Sequence, residues 1–278
     1  MSIDLDHLRT WVGKTETRDD LIHPFPANAM AATLDRERQF ENGDPLPPLW
    51  HWLHFLPVFT LKDAGHDGHA ALGGFLPPVP LPRRMWAGGR LSWHRPIHIG
   101  QVHRKISKVL SVEHKQGRSG DLVFVTVRHQ IYSGDERCLS EEHDIVYRAQ
   151  EISAAQPPLA PTDGELIRHV NPDPVLLFRY SALTFNGHRI HYDHPFATTR
   201  EGYGGLIVHG PLLASYLCGA IAQKWPTKQL ARFAFKAKAP VFDTMGFDVC
   251  LRGNGDNADL WITRDDGVLA MEAEATLA

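Results

Sequence analysis

The sequence predicts an α+β protein made of two copies of one unit, two antiparallel sheets each wrapped around a central helix. Three observations predict it. Four runs of alternating apolar residues close each half of the chain, the two sets align on Pro96 and Pro240, and Ile152–Gly164, three prolines among small residues, reads as a linker. The expected units are residues 1–151 and 165–278, joined by 152–164.

The elements follow in order. Ser2 can cap a short helix with Leu5, Leu8, Trp11 and Val12 at helical spacing and Gly13 as its stop. A small-residue helix is expected around Asn28 to Arg38, then a loop at 41–48, ENGDPLPP. WHWLHFLP, Trp50 to Pro57, reads as a buried helix start, as core packing before a pocket wall. Residues 62–82, KDAGHDGHAALGGFLPPVPLP, are too long for a tight turn and are expected to run over a groove.

Strand signals dominate from there. MWAGGRLSWHRPIHIG, HRKISKVLSVEHKQG, DLVFVTVRHQIYSG and RCLSEEHDIVYRA alternate like an antiparallel sheet, with Val123, Val125 and Val127 on one face and Phe124, Thr126 and Arg128 on the other. After the linker, Asn171 and Pro172 read as a cap and first-turn proline for a helix through Leu183. A second helix is expected to open at His209 or Gly210 and bury Leu212, Leu213, Tyr216, Leu217 and Ile221 inside a curved sheet. LARFAFKAKAPVFD, FDVCLRGNG, ADLWITRDDG and VLAMEAEATL supply four more strands. GRLSWHRPIHIG aligns with FAFKAKAPVFDT, and FVTVRHQIYSGDERCLSEE with LWITRDDGVLAMEAE. The repeat is a unit of roughly 130 residues whose offset shrinks along the alignment, because the N-terminal hairpins are longer.

Composition narrows the function classes. With 43% hydrophobic residues in 278, the chain can bury a substantial core. Its 29 basic and 32 acidic residues leave no electrostatic footprint for nucleic acid or an anionic membrane surface. Cys138, Cys218 and Cys250 form no close metal pair and leave an odd thiol, which points to a reducing compartment, the cytoplasm. MSIDLDHLRTWVGK carries acidic residues where a secretory signal is basic and apolar, and no run approaches about 18 apolar residues.

The chemistry concentrates in FNGHRIHYD, Phe185 to Asp193, and GGLIVHGPLLASYL, Gly204 to Leu217. Asn186 and His191 stand five residues apart in a glycine-containing turn that can bring an amide and an imidazole toward one point. Asp193, followed by Pro195 and Ala197, reads as a helix cap. His188, His191 and His194 invite a metal, but a helix would rotate the third away, Pro195 distorts the region, and no cysteine or glutamate completes a zinc spacing. No metal or cofactor is expected. No GxSxG elbow surrounds Ser215, and the glycine-rich segments lack a P-loop lysine. A helix opening at Gly210 leaves amide groups free to bind an oxygen that becomes negative.

These residues resemble the hydratase-2, or MaoC-like, enoyl-thioester hydratases and dehydratases of the hotdog fold. That motif has an aspartate, a histidine five residues on, an aspartate two later, and a downstream His-Gly step opening the central helix; here stand Asn186, His191, Asp193, His209 and Gly210. FNGHRIHYD, LPPLWHWLHFLP and GGFLPPVPLPRRMWAGGR resemble the branch containing mesaconyl-C4-CoA and itaconyl-CoA hydratases and type-2 hydroxyacyl-thioester dehydratases. The resemblance implies a double hotdog, with the C-terminal half catalytic and the N-terminal half, which lacks both motifs, forming pocket walls.

It also implies reversible hydration of an α,β-unsaturated acyl-CoA, with a short dicarboxylic acyl group such as mesaconyl-C4-CoA or itaconyl-CoA. His191 is then general base and acid, Asn186 holds the water, and Gly210 meets the thioester oxygen. Asn186 departs from the wider family, because an amide cannot remove a proton at neutral pH. Arg83, Arg84, Lys236 and Lys238 are candidates for the CoA phosphates, and Arg189 or Arg90 for an acyl carboxylate. The rival readings are dehydration of fatty 3-hydroxyacyl thioesters, thioester hydrolysis, and an acyl-CoA-binding module without turnover. Pairing into a homodimer or higher homo-oligomer is compatible with a double hotdog.

Overall fold

The computed structural model describes residues 3–117, 120–149 and 156–278. One antiparallel sheet of ten strands runs through the molecule: β1 (Thr15–Leu21), β2 (Arg83–Trp93), β3 (Val102–Gly117), β4 (Gly120–Ser133), β5 (Glu136–Arg148), β6 (Glu165–Val170), β7 (Leu230–Ala237), β8 (Phe247–Asn254), β9 (Asn257–Arg264) and β10 (Leu269–Leu277). Among the described residues four α-helices accompany it: α1 (Leu5–Arg9), α2 (Pro24–Thr33), α3 (Pro174–Leu183) and α4 (Gly210–Lys224).

The strand order β1-β3-β4-β5-β2-β7-β10-β9-β8-β6 reveals the duplication. Read inward from either edge, first, third, fourth, fifth and second strands of each half follow in the same sequence. The halves meet where β2 pairs with β7, Gly88 opposite Lys236 and Ser92 opposite Arg232, so the expected two sheets are joined edge to edge as one. This joint removes the unpaired edge each sheet would otherwise expose. The repeat offset falls from 150 residues between Thr15 and Glu165 to 133 between Glu136 and Leu269, as the longer N-terminal hairpins require.

The expected helix in each half is corrected. Only the C-terminal half carries a long central helix among the described residues; α4 buries Leu212, Leu213, Leu217 and Ile221 against the sheet. At the corresponding point of the N-terminal half, after α2 and before β2, Trp50–Leu53 forms a short 3₁₀ turn. Buried Glu141 on β5 holds that turn, accepting from Trp52 Nε1 at 3.0 Å and meeting His51 Nε2 at 3.0 Å. Burial alone would raise the Glu141 carboxyl, but the His51 hydrogen bond and the neighbouring His51, His129 and His143 rings together outweigh it and hold the group down at about 2. Trp50, Leu53 and Phe55 are core, and Trp52 packs edge-on against Trp86 at 4.6 Å.

Other boundaries move for local reasons. Asp4, not Ser2, caps α1, by accepting from the His7 amide; Ser2 lies outside the described residues. α2 starts at Pro24, because His23 caps it and Pro24 fits the first turn, and it stops at Thr33 rather than near Arg38. α3 is capped by Asp173, whose side chain accepts from Leu176 N at 2.7 Å, with Pro174 in the first turn in place of Asn171 and Pro172. β1 and β6 carry too little alternation to be legible: TETRDDL and ELIRHV are sheet-edge strands that become strands by pairing with β3 and β8. Val123, Val125 and Val127 are fully buried as expected. Of the expected linker, 152–155 lie outside the described residues, and Leu159 bridges to Val268.

Candidate active site

The site begins where α3 ends. Asn186 N–H donates to Ser181 O at 2.8 Å and Phe185 N–H to Ala182 O at 3.3 Å, the paired bonds of a helix ending on a left-handed residue. That residue is Phe185, with φ of 49°, a conformation costing a non-glycine residue about 1–2 kcal/mol. The turn re-aims the chain. Asn186 Oδ1 then accepts the His188 N–H at 3.0 Å, which commits the amide oxygen and leaves its NH₂ to donate. A 3₁₀ turn over Arg189–His191 follows. Asp193 is a cap, as its sequence context implies: Oδ1 accepts from Phe196 N at 3.1 Å, and Oδ2 is held by Arg189 at 2.7 and 2.9 Å.

His191 is 7% exposed, and its Nδ1 lies 2.7 Å from the Ile207 carbonyl. A carbonyl only accepts, so Nδ1 carries the hydrogen and Nε2 keeps its lone pair. Burial pushes the imidazole down to about 4, against the Ile207 bond and helped by nearby His69. The ring is therefore neutral, a base, at neutral pH. It stacks on His209 with centroids 3.7 Å apart and planes 18° apart. His209 is fully buried, meets Ser181 Oγ through Nε2 at 2.8 Å, and is held well below the usual histidine range by burial and by its neighbours His191 and His188. His209 is also the N-cap of α4, so the stack sets His191 beside the helix start. Gly210 is the first helical residue, where an N–H has no internal acceptor, and a Cβ there would meet no atom within 4 Å.

The other side of His191 is built by residues the sequence reading did not select. His188 meets it edge-on at 5.4 Å, and His69 lies against His188 at 4.1 Å. His69 belongs to the 62–82 excursion, which packs on the loop 185–193 through contacts with Gly187 and Arg189. Asp67 holds His69 twice, Oδ2 to ring Nδ1 at 2.9 Å and Oδ1 to the backbone N–H at 3.1 Å. The excursion is clamped by Arg189 N–H donating to Asp67 O at 2.9 Å and Arg189 Nη1 to His66 O at 3.0 Å. Gly68, with φ of +89°, touches Gly187 so closely that a Cβ would stand 1.9 Å from the Gly187 carbonyl oxygen. Four imidazoles, His69, His188, His191 and His209, thus form a row from Asp67 to Ser181. The only sequence signal was GHDGH within an overlong loop.

Donor atoms of Asp67, His69 and His188 lie within 4.8 Å of one another, a metal-type set differing from the His188, His191 and His194 spacing. The basic candidates separate. Arg83 is buried, paired with Glu201 at 3.2 Å and set over Tyr203; Arg90 is held by Glu142 and Asp144; Arg189 by Asp193; Lys238 by Glu272 at 2.5 Å. Cations so neutralised offer a phosphate less. Among the described residues Arg84 and Lys236 carry no carboxylate ion pair. Lys236 is exposed on β7, opposite Glu272 in the ladder. Arg84 stands cross-strand from Tyr147 and disfavours charge on His69 and His188. Two surface clefts of about 440 and 380 Å³, lined respectively by Asp163, Lys224 and Arg252 and by Arg36, Tyr216 and Val249, include none of the histidine row. Chemistry rather than volume locates the site.

The chain is 46% identical to mesaconyl-C(4)-CoA hydratase of Chloroflexus aurantiacus over 271 residues, covering 96% of each chain. In fold it resembles the MaoC-like dehydratase of Phytophthora capsici, with a TM-score of 0.71, 11% identity and coverage of 99% and 98%. A Mycobacterium tuberculosis protein described as a double hotdog superposes with a TM-score of 0.59 at 13% identity, covering 96% of both chains. The sequence profile of hydroxyacyl-thioester dehydratase type 2 matches residues 49–243, and the chain, a double hotdog, belongs to that family.

Proposed function

We propose that this chain adds water reversibly across the α,β double bond of an acyl-CoA thioester, with a short dicarboxylic acyl group of the mesaconyl-C4 kind. The observation carrying the reading is His191: a buried, neutral imidazole with Nδ1 anchored on Ile207 and Nε2 free, stacked beside the start of α4. The 46% identity to a mesaconyl-C(4)-CoA hydratase supports the acyl group. His191 Nε2 takes a proton from water that the Asn186 NH₂ holds. The oxygen adds to the β-carbon, the π electrons move toward the thioester oxygen, and Gly210 N–H donates to that oxygen. His191 returns the proton to the α-carbon. The C-terminal unit, 165–278, carries this machinery, and the N-terminal unit, 1–151, closes the pocket, with Arg84 and Lys236 the cations left for phosphate or carboxylate.

Replacing His191 by alanine tests it, with mesaconyl-, itaconyl- and crotonyl-CoA as substrates. Turnover is expected to fall about 10² to 10⁴-fold. Activity within a few-fold of the parent would refute the assignment. A free-thiol assay separates hydration from hydrolysis, because hydration leaves the thioester intact. The family match also supports the reverse reaction, dehydration of a hydroxyacyl thioester, which the same residues would catalyse.

A further inference from the structure

We propose that Asp67, in the N-terminal half, is the carboxylate of this site: through His69 and His188 it compensates the positive charge that His191 gains on taking the water's proton. The inference rests on the hydratase reading. In that reaction an O–H bond of water breaks, its proton goes to Nε2 of His191, and its oxygen bonds the β-carbon. The proton then moves from His191 to the α-carbon. Between those events His191 is an imidazolium in an interior that strongly favours the neutral ring. A nearby negative charge is what such a step requires.

Position 186 does not provide one, because Asn186 is neutral and its oxygen is bonded to the His188 amide. On the same loop Asp193 is already matched by Arg189 at 2.7 Å. Asp63, on the excursion, is exposed and bonded to Thr60. Asp67 remains. It is half-buried, bonded to His69 at 2.9 Å, and the rings continue from His69 to His188 at 4.1 Å and from His188 to His191 at 5.4 Å. Its charge favours protonation of His188, whereas Arg84, facing the same rings from β2, disfavours it. His209 closes the far side as a neutral ring. The clamp of Gly68 on Gly187, with the Arg189 bonds to His66 and Asp67, fixes this carboxylate in place. Asp67 and His69 are positioning residues acting through His191.

The test is Asp67→Asn, which keeps one oxygen to accept from the His69 amide, removes the charge, and puts an NH₂ where Oδ2 met the His69 ring. In the full-length protein kcat for mesaconyl-C4-CoA hydration is expected to fall about 10²-fold with KM within about threefold. Adding Asn186→Asp, which puts a carboxylate on the loop that carries His188 and His191, should recover at least about tenfold of that loss. A purely structural Asp67 would not be rescued from position 186. The proposal is overturned if Asp67→Asn retains kcat, if the loss is not recovered by Asn186→Asp, or if purified protein holds an equimolar divalent ion on Asp67, His69 and His188. Wild-type turnover and the His191→Ala loss are measured alongside. Their absence overturns the hydratase reading together with this one, whereas their presence with an unaffected Asp67→Asn overturns this one alone.

Discussion

Replacing Gly210 by alanine separates a residue kept for substrate from one kept for folding. A methyl group built on Gly210 meets no atom within 4 Å, and its φ is not in the left-handed region, so the fold gives alanine room. Gly210 begins a 15-residue helix, where alanine is the better former by at most about 1 kcal/mol. The unfolding midpoint should therefore hold or rise by a few degrees, at about 2–4 °C per kcal/mol for a chain of this size. Turnover should behave differently. If the thioester oxygen rests on the Gly210 N–H, a methyl beside that amide pushes the oxygen off its donor. Loss of one such donor costs about 10² to 10³-fold in kcat, and partial displacement should reach the lower figure. The assay is hydration followed by mass spectrometry for a gain of water, with a thermal unfolding curve on the same preparation. Turnover within about threefold of the parent at unchanged stability would refute the oxyanion role. A fall in stability would refute the vacancy on which the role rests.

Gly68→Ala should do the opposite of Gly210→Ala, because Gly68 has φ of +89° and backbone at 1.9 Å from its Cβ position: both stability and turnover should fall, the left-handed conformation alone costing about 1–2 kcal/mol. Wild-type turnover with an unchanged melting curve would show that the excursion does not clamp the site loop. The buried histidines set a pH dependence. Burial holds His54, His143 and His191 at about 4 and His129 at about 3, all below their ordinary value near 6.5. Because the folded values are depressed, the contribution to stability is whole above about pH 6.5 and is lost as pH falls toward 4. Each neutral histidine costs up to about 1.4 kcal/mol per pH unit in that window. Denaturant unfolding at pH 7, 6 and 5 should show stability falling at each step; a flat series would mean that these rings are protonated in the folded chain.

Part of the candidate site was readable in one dimension. Asn186, His191, Asp193 and Gly210 lie within 25 residues, and their local geometry is governed by neighbours: a glycine turn, a cap, a helix start. Cap identities failed where two candidates competed, as at Asn171 and Asp173, since the winner depends on where β6 releases the chain. The basic residues were least legible. Whether Arg83 or Lys238 is free depends on which carboxylate the fold brings to it, and Glu201 and Glu272 are far away in sequence.

The sequence alone determined the duplication, the antiparallel sheets, the central helix of the second half and the histidine at its mouth, because alternation, turn residues and helix starts are local and repeat with the chain. Tertiary structure decided the rest. Pairing of β2 with β7 made two sheets one, and packing of Gly68 on Gly187 carried Asp67 and His69 from the other half to His191, more than 120 residues away. Contacts of that separation are set by backbone approach and burial, quantities that no spacing along a single strand or helix records.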